Sequence, residues 1–315
     1  MKSITVLIPA YNEEQVLPAL FERLSTLADR ESQYSFEFLF VNDGSRDRTL
    51  EIIKHHAEQD HRVSYINLSR NFGKEIAMIA GIDHVKGDAL VIVDADLQDP
   101  PELIPEMIKL WEEGYDDVYA KRRSREGETW LKKFTSKQYY ALLQSVTRIP
   151  IQEDTGDFRL LDRRVVESIK QFRESQRNAK AIFSQVGFNK KEILYDRDPR
   201  AAGETKWSYV KLLDLAISGI TSFTTAPLRV ASILGILVSF VSFIYIIYLL
   251  VRPLFGESTG SGYSSLMAVI LFLGGVQLLS LGIIGEYIGR IFNETKHRPL
   301  YLVEQYHASH KKAKK

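Results

Sequence analysis

Two carboxylates, one residue apart, follow an apolar run in the first third of the chain. Asp94 and Asp96 come directly after three β-branched residues at positions 91–93, a run typical of a strand that is buried on both faces. Pro100 and Pro101 fit the first turn of a helix, so the two carboxylates are expected at the carboxyl end of a strand. Oxygen ligands on short side chains suit Mg²⁺ or Mn²⁺, which also bind the phosphates of a nucleotide. The pattern predicts a divalent-metal site at Asp94 and Asp96, with a solvated acidic turn as the alternative.

A third acidic residue, Asp43, ends an earlier apolar run at residues 36–43. Because ligands bind at the carboxyl ends of parallel strands, we expect Asp43 in the same crevice as Asp94 and Asp96. Its carboxylate would accept hydrogen bonds from a ribose or a base there, although a helix cap also explains the residue. Four residues at the end of the first predicted strand would line the same edge: Pro9, Ala10, Tyr11 and Glu13.

Strands and helices alternate through the first 120 residues, and this alternation predicts an α/β fold. Strands are expected at residues 3–11, 36–43, 63–68, 89–94 and 117–120. Helices are expected at residues 12–28, with Asn12 as the cap, and at residues 47–59, 73–85 and 101–113. The order indicates a mostly parallel, Rossmann-like sheet that is covered by helices on both faces.

Two long apolar segments lie in the last third of the chain. Residues 230–251 are 22 positions without a charge, and residues 265–285 are a further 21. At 1.5 Å per residue each segment reaches roughly 30 Å, the thickness of the hydrocarbon core of a bilayer. They predict two transmembrane helices, with a buried core hairpin as the alternative. Four glycines in the second segment would allow close helix packing in a homo-oligomer: Gly274, Gly275, Gly282 and Gly285.

The charges that flank these segments set the expected orientation. The loop at residues 252–264 carries one Arg and one Glu, whereas residues 290–315 carry seven Lys or Arg against two Glu. The positive-inside rule places this tail in the cytoplasm, and with two spans the N-terminal domain lies there too, in a multi-pass protein of the cell membrane. The net charge of +1 argues against a nucleic-acid partner, and the absence of cysteine agrees with a reducing compartment.

Two further segments have patterns that suit a membrane surface. Residues 121–137 carry seven basic residues against two Glu, which fits either a solvated basic helix or a surface that faces anionic head groups. Residues 208–223 have apolar side chains at helical spacing, as expected for an amphipathic helix in the membrane interface.

Four motifs in series carry a family resemblance: VLIPAYNEE at 6–14, VNDGSRDRT at 41–49, SRNFGKEIA at 69–77 and DADLQDPPE at 94–102. In this order and spacing they resemble the family 2 glycosyltransferases with the GT-A fold. Nearly the whole chain, including the two apolar segments, resembles the polyprenyl-phosphate glycosyltransferases, the group of dolichol-phosphate mannose synthase and the bactoprenol glucosyltransferases. The resemblance implies a nucleotide-sugar donor, a divalent metal at Asp94 and Asp96, and a lipid phosphate as acceptor.

The same resemblance implies roles for further residues. The nucleoside would be held by Pro9, Tyr11, Glu13 and Asp43, and Gln98 would lie close to the metal and the diphosphate. Cationic and hydroxyl side chains would bind the lipid phosphate or the diphosphate: Arg122, Lys133, Ser136, Arg200 and Lys206. Asp157, in the segment GDFR at residues 156–159, would stand beside the acceptor. We expect Asp157 to orient hydroxyl groups first and to act as a base second, because a phosphate monoester is already mostly a dianion at pH 7.

The resulting prediction is an inverting transfer of a hexose to undecaprenyl phosphate or another polyprenyl phosphate, at the cytoplasmic face, which supplies a lipid-linked sugar for cell-envelope glycans. Glucose from UDP-glucose is the preferred donor; N-acetylglucosamine, galactose, mannose and an aminopentose are the alternatives. A processive polysaccharide synthase and an inactive scaffold are alternative classes. The expected organisation is a catalytic domain at residues 1–205, a juxtamembrane helix at 206–228, a two-helix transmembrane region at 229–291 and a basic cytoplasmic tail at 292–315.

Overall fold

A computed structural model describes residues 1–123, 155–174, 179–196, 224–251 and 262–309. The chain divides into two compact units, and the first contains Met1–Gln144, Arg148–Ser208 and Pro299–Lys315. The second unit contains Ser145–Thr147 and Tyr209–Arg298. Some predictions fall outside the described residues: the amphipathic helix at 208–223 and the roles of Lys133, Ser136, Arg200 and Lys206.

The described part of the first unit contains one sheet of eight strands. In chain order, β1 to β8 are Ser3–Ala10, Ser35–Asn42, Val63–Leu68, Ala89–Ile92, Asp117–Arg122, Thr155–Asp162, Lys190–Tyr195 and Val303–His307. Their order in the sheet is β7-β5-β6-β4-β1-β2-β3-β8. Strand β6 runs antiparallel to β4 and β5, and β8 runs antiparallel to β3, whereas the other neighbouring pairs are parallel. The predicted α/β fold with a mostly parallel sheet is confirmed.

Helices cover both faces of this sheet, and a 3₁₀ turn at Pro101–Leu103 leads into the fourth of them. In the described part of the unit, α1 to α6 are Leu17–Arg30, Thr49–Gln59, Lys74–His84, Ile104–Glu112, Arg163–Ile169 and Ala179–Gln185. Alternate residues of a strand point to opposite faces, so Phe38 and Phe40 of β2 pack with α1, α2 and α4. Leu39 and Val41 of the same strand pack with α3, α5 and α6 on the other face. Burial on both faces explains why the strands are nearly continuous apolar runs.

The first helix begins later than the sequence predicts. It starts at Leu17, and Asn12 has a left-handed φ of 55°. The Asn12 N–H donates to Ser45 Oγ (3.0 Å), and Asn12 Oδ1 accepts from the Arg46 N–H (2.9 Å). The prediction that Asn12 caps α1 is wrong, because its backbone and side chain bind the loop after β2 instead.

The segment after the two apolar helices returns to the sheet and forms its edge. Strand β8 pairs with β3, and the Ser69 N–H donates to the Leu302 carbonyl (3.0 Å). The Tyr301 hydroxyl donates to Asp83 Oδ2 (2.8 Å), and the rings of Tyr65 and His307 stack with centroids 5.4 Å apart. Residues that the sequence suggests are a basic tail therefore include a strand of the catalytic unit.

The described part of the second unit consists of two long helices, α7 (Ala226–Val251) and α8 (Tyr263–Thr295). Their apolar segments have mean hydropathies of 2.0 and 2.3 and are long enough to cross a membrane. Within this unit the Tyr287 hydroxyl donates to the Thr224 carbonyl (2.5 Å). Near the end of α8, Arg290 Nη2 pairs with Glu286 Oε1 at 2.8 Å. The two predicted apolar helices are confirmed.

Candidate active site

Three parallel strands end at one edge of the sheet and bring the predicted acidic residues together. Strand β1 lies between β2 and β4, so the loop after β1 stands between Asp43 and the pair Asp94 and Asp96. A cleft of about 490 Å³ opens at this edge. The described residues that line it are Pro9, Ala10, Tyr11, Glu13, Asp43, Asn71, Gly73, Lys74, Ala77, Asp94, Ala95 and Asp96. Six of the residues predicted to bind the donor or the metal are therefore neighbours in one cleft.

Asp43 is held by the backbone of the loop before α3. Its side chain accepts hydrogen bonds from the Phe72 N–H at Oδ1 (2.7 Å) and from the Gly73 N–H at Oδ2 (2.8 Å). Asp43 is only 2% exposed, and this burial raises the pKa of its carboxyl even though the two amide hydrogen bonds oppose the rise. Each carboxylate oxygen keeps a further lone pair, so Asp43 can still accept a hydrogen bond from a ligand.

Gly44 allows that loop to lie against Asp43. Its φ is +64°, and a Cβ atom at this position would lie 2.4 Å from the carbonyl carbon of Arg70. A side chain would therefore both strain the backbone and push residues 70–73 away. The glycine in the motif VNDGSRDRT is explained by this close approach of two backbones.

The loop after β1 is tied to the loop after β2 by backbone and side-chain hydrogen bonds. The Glu13 N–H donates to Thr49 Oγ1 (2.8 Å), and the Glu14 N–H donates to Asp47 Oδ2 (3.2 Å). Tyr11 is 42% exposed in the cleft, so its ring offers a flat surface to an aromatic base. These contacts give the cleft one wall with fixed geometry.

Asp157 reaches the same edge because β6 runs antiparallel to β4. Ile92 is paired with Arg159, so two residues further along the strands Asp157 stands opposite Asp94. Lys74, the first residue of α3, joins the two carboxylates. Its Nζ lies 2.6 Å from Asp94 Oδ1, 2.7 Å from Asp94 Oδ2 and 2.6 Å from Asp157 Oδ2.

This triad shares one positive charge between two carboxylates. The Lys74 side chain is 45% exposed as a whole, but its ammonium group is partly desolvated among the carboxylates, which opposes its charge. Asp94 and Asp157 outweigh that effect and raise the pKa of Lys74 above the ordinary value. Burial raises the pKa of the Asp94 carboxyl, and the nearby charges of Asp157 and Asp96 add to the rise. Burial also works against the charge on Asp157, yet Lys74 outweighs it and lowers the pKa of that carboxyl. The triad therefore shares one ammonium group between two carboxyl groups whose pKa values are shifted in opposite directions.

The loop after Asp96 is strained and anchored at its far end. Leu97 has a left-handed φ of 58°, which is costly for a residue with a branched side chain. The Gln98 N–H donates to Asp96 Oδ1 (3.2 Å), and Gln98 itself is buried. The Tyr195 hydroxyl donates to Asp99 Oδ1 (2.7 Å), and both residues are buried. These contacts fix the direction of the Asp96 side chain, and the predicted residue Gln98 lies beside it.

Cations surround the other side of Asp157. Arg122 Nη2 lies 4.0 Å from the point where a Cβ atom of Gly156 would stand, so Arg122 is close to Asp157 in the fold. Lys180 belongs to the same group: burial lowers its pKa, Asp157 opposes the fall, and Arg122 adds to it. Arg122, Asp157 and Lys180 are thus brought together at the edge of the cleft. Of the five residues predicted to bind phosphate, Arg122 is the one that the structure describes.

A divalent metal fits the donor set at the end of β4. No group of three or more His, Cys, Asp or Glu side chains is arranged as a metal site within the described ranges. Mg²⁺ is commonly bound by one or two carboxylates together with substrate phosphates and water, and Asp94 and Asp96 supply such a pair. The buried Oδ1 of Asp157 accepts no hydrogen bond from the part of the chain that is described, so it can still accept one from a bound group.

Sequence reasoning did not single out Lys74 and Lys180. Lys74 lies in the motif SRNFGKEIA, directly after the loop that follows β3. The strand-end argument that placed Asp43 in the crevice directs attention to this loop, but it does not say that Lys74 contacts Asp94 and Asp157. Lys180 follows a segment without a strand-end signal, and only the fold brings it near Asp157.

Known proteins resemble this chain over nearly its full length. Residues 5–170 match the family described as Glycosyl transferase family 2, and residues 226–291 match the GtrB C-terminal hairpin. The chain is 43% identical over 301 residues to a bactoprenol glucosyl transferase of Shigella phage SfV. That alignment covers 96% of this chain and 98% of the relative. It is 50% identical over 300 residues to an uncharacterized glycosyltransferase of Synechocystis sp., which covers 95% of this chain and 94% of the relative.

A solved structure supports the fold alone. The crystal structure of mannosyl-3-phosphoglycerate synthase from Rubrobacter xylanophilus aligns with a TM-score of 0.52 at 16% identity. The alignment covers 69% of this chain and 71% of that one. The sheet and its flanking helices are therefore an arrangement already seen in a sugar-transferring enzyme.

Proposed function

The chain belongs to glycosyl transferase family 2, and we propose that this glycosyltransferase moves a hexose from a nucleoside diphosphate to a polyprenyl phosphate in the cell membrane. The observation that carries the proposal is the convergence of Asp43, Asp94, Asp96 and Asp157 at one edge of the sheet. The bactoprenol glucosyl transferase of Shigella phage SfV, similar over 96% of the chain, supports a polyprenyl acceptor and glucose as the sugar.

The donor in this proposal is UDP-glucose, bound along the cleft from the β2 side to the β4 side. Tyr11 stacks on the base, while Pro9, Glu13 and Asp43 line the place of the nucleoside. The diphosphate then lies near Asp94 and Asp96, beside Gln98. The geometry supports this order, because Asp43 has neutral amide partners, whereas the carboxylates at the β4 end suit the divalent ion that accompanies a diphosphate.

Asp94 and Asp96 are the proposed holders of a divalent metal, Mg²⁺ or Mn²⁺. Such an ion, when bound, neutralises the charge that develops on the leaving diphosphate. The residues of the chain have separate tasks. Lys74 brings a further positive charge to the same place, and the Leu97 turn with the Asp99–Tyr195 contact keeps the Asp96 carboxylate directed at it.

The acceptor side is proposed to be the edge formed by Asp157, Arg122 and Lys180, together with Lys133, Ser136, Arg200 and Lys206. An oxygen of the lipid phosphate forms a bond to the anomeric carbon of the sugar. The bond from that carbon to the diphosphate breaks on the opposite face, so the configuration is inverted. UDP leaves with the electron pair of the broken bond.

Asp157 is proposed to position groups rather than to take a proton. Lys74 keeps the pKa of the Asp157 carboxyl below its ordinary value, and a carboxylate with a low pKa is a weak base at neutral pH. The acceptor phosphate is already mostly a dianion there, so the reaction needs little help from a base. Positioning and the cations around the diphosphate supply most of the rate enhancement.

The catalytic unit is proposed to lie at the cytoplasmic face of the membrane. Residues before and after the apolar hairpin both belong to the first unit, and β8 pairs with β3. A chain that leaves this unit and returns to it crosses the bilayer an even number of times, and α7 with α8 supply two crossings. The basic residues after α8 support a cytoplasmic position for the unit. Domain borders near residues 205, 228 and 291, with a strand in the tail, complete the proposal.

The test is a transfer assay with the purified full-length protein. The protein is incubated with undecaprenyl phosphate, Mg²⁺ or Mn²⁺ and a panel of nucleotide sugars labelled in the sugar, and the lipid is then extracted. We expect one labelled lipid, from UDP-glucose, and no product after the metal is removed with a chelator.

Each departure from this result has a distinct meaning. A labelled lipid from a different donor would replace glucose by that sugar and leave the acceptor in place. A labelled polymer without a labelled lipid would support a processive synthase. The absence of any product from a folded sample that binds UDP would contradict the acceptor assignment.

A further inference from the structure

Lys74 takes a place in the cleft that suits a metal ion. Its ammonium group lies within 2.7 Å of three carboxylate oxygens, which belong to Asp94, just beyond the end of β4, and to Asp157 on β6. A compact ammonium group with three donors is the side chain that most resembles a small cation. Lys74 therefore serves as the counter-ion of Asp94 and Asp157 in the ligand-free protein.

The charge balance leaves this counter-ion insufficient. At Asp94, the ammonium group of Lys74 is shared with Asp157, and Asp96 adds a further negative charge. Arg122 and Lys180 stand on the other side of Asp157 and leave this end of the triad to Lys74. A divalent cation would balance this set better than one ammonium group does. The Lys74 ammonium group and a divalent metal ion cannot both bind Asp94 tightly, because like charges a few ångströms apart repel each other.

The Lys74 side chain is exposed enough to move away from Asp94, in contrast to a nearby ion pair that is buried in the core. The Lys74 side chain is 45% exposed, so its long stem can turn toward the cleft without opening the core. Two residues beyond Asp157 on the same strand, Arg159 Nη1 pairs with Asp117 Oδ2 at 3.1 Å, and both side chains are almost fully buried. That pair is part of the core, whereas Lys74 stands at the border of the solvent.

We propose that Lys74 is an exchangeable resident cation, which a divalent metal with its nucleotide diphosphate displaces from Asp94 on binding. The inference rests on the proposed use of a metal-bound nucleotide sugar. A metal ion without nucleotide competes with a tethered ammonium group, so it binds weakly. The diphosphate brings negative charge that holds the metal and also receives the released Lys74. Metal and nucleotide therefore bind with positive coupling, each strengthening the other.

The experiment measures Mn²⁺ binding to the full-length protein by electron paramagnetic resonance of the free ion, with and without UDP. Wild type is compared with Lys74→Met, which keeps the apolar stem and removes the charge, and with Lys74→Arg, which keeps a charge. Lys109→Met is the matched control, because Lys109 is an exposed helical lysine on α4, away from the cleft lining. Thermal unfolding shows whether each variant is folded.

We expect UDP to strengthen Mn²⁺ binding to the wild type by about tenfold or more, a coupling in the usual range. Without UDP, Lys74→Met should bind Mn²⁺ about tenfold more tightly than the wild type, because the competing charge is gone. Its gain from UDP should be smaller. Lys74→Arg and Lys109→Met should bind Mn²⁺ without UDP as weakly as the wild type does.

Two results would overturn the inference. One is Mn²⁺ binding to folded Lys74→Met that equals or is weaker than binding to the wild type. The other, which needs no variant, is Mn²⁺ binding to the wild type that UDP leaves unchanged although UDP itself binds. A protein that fails to bind UDP, or that makes no lipid product while the Lys74→Met result holds, would contradict the proposed function and not the resident cation.

Discussion

The two halves of the cleft hold their carboxylates in different ways. On the β2 side, the backbone amides of Phe72 and Gly73 bind Asp43. On the β4 side, the side chain of the next residue, Lys74, binds Asp94 and Asp157. Three consecutive residues thus supply the partners of both halves, with neutral and fixed donors for one and a charged and movable donor for the other.

This difference separates a preformed half from a half that rearranges. Backbone amides at the start of a helix cannot turn away from Asp43 without unfolding that turn, so the proposed nucleoside side is in place before a ligand binds. The lysine side chain turns by rotation about its own bonds, so the diphosphate side exchanges its cation. The proposed nucleoside side is therefore held rigidly, whereas the charge on the proposed diphosphate side can adjust through movement of the Lys74 side chain.

The largest expected effect comes from removing a proposed metal ligand on the adaptable side. Asp96→Ala should lower turnover by about a thousandfold or more, because stabilisation of the leaving diphosphate is lost. The protein should remain folded and in the membrane. Lipid transfer and thermal unfolding are measured side by side, with Glu106→Gln on α4 as an exposed acidic control. Turnover near the wild-type rate would remove Asp96 from the metal site.

The rigid side should respond to substitution through stability as well as donor binding. Asp43→Ala leaves the N–H groups of Phe72 and Gly73 without their acceptor, at a cost of about 2 kcal/mol or more in the free energy of unfolding. Asp43→Asn keeps one acceptor oxygen and should cost about half as much. Denaturant unfolding and the donor KM are the measurements. Equal stability of Asp43→Ala and the wild type would mean that the amides do not depend on Asp43.

Alanine substitutions at two glycines separate two contributions to stability: the close packing of the loop at 70–73 against Gly44, and the backbone conformation of the glycines themselves. A Cβ atom at Gly44 would meet the Arg70 carbonyl carbon at 2.4 Å, whereas a Cβ atom at Gly73 would have nothing within 4 Å. Both have positive φ, and Gly73, with φ 95° and ψ 153°, lies in a region that is essentially restricted to glycine, so each alanine costs about 1–3 kcal/mol of backbone strain. Gly44→Ala should cost about 1–3 kcal/mol more, because the clash moves the loop, and it should also raise the donor KM. The same loss of stability in both variants would contradict the close approach.

The smallest expected effect is a difference in how the contributions of Asp157 and Asp43 to stability change with pH. The pKa of Asp157 is lowered in the folded protein, so its stabilising contribution is complete above its unfolded pKa of about 3.9 and is lost as the pH falls through the lower folded value. The pKa of Asp43 is raised, so its contribution becomes less favourable as the pH rises from about 3.9 through the folded value.

The measurement is the Tm of the wild type relative to Asp157→Asn and Asp43→Asn between pH 2.5 and 6. The difference should grow with pH below about pH 4 for Asp157 and shrink with pH above about pH 4 for Asp43. Two differences that change in the same direction would mean that both carboxylates are held in the same way.

The sequence predicts the centre of the fold and of the site because the signals there are local. Apolar runs end in Asp43 and Asp94, and the alternation of strands and helices places both ends at one edge. Asp157 was assigned by resemblance, and the antiparallel register of β6 explains why it meets Asp94. These residues follow from patterns of a few neighbouring positions.

The features that the sequence does not predict depend on partners far along the chain. Lys74 is one of 41 basic residues, and no local pattern says that it lies between Asp94 and Asp157. Asn12 has the residue type of a helix cap, but its side chain instead accepts a hydrogen bond from the Arg46 N–H in the loop after β2. Strand β8 is short and polar, and Asn67, which donates a hydrogen bond to Glu304 of β8, lies 237 positions before it. Long-range pairing decided each of these cases.

Strand β8 also has a consequence for biosynthesis. The ribosome releases this strand only after it has made both apolar helices, so the edge of β3 stays unpaired until the hairpin has been synthesised. An open edge is a template for wrong pairing with other chains. If only one of the two helices crossed the membrane, β8 would lie on the side opposite β3 and could not reach that edge. Under the proposed two-span arrangement, completion of the sheet thus requires that both helices cross the membrane, and unfinished molecules present an edge that chaperones and proteases can recognise.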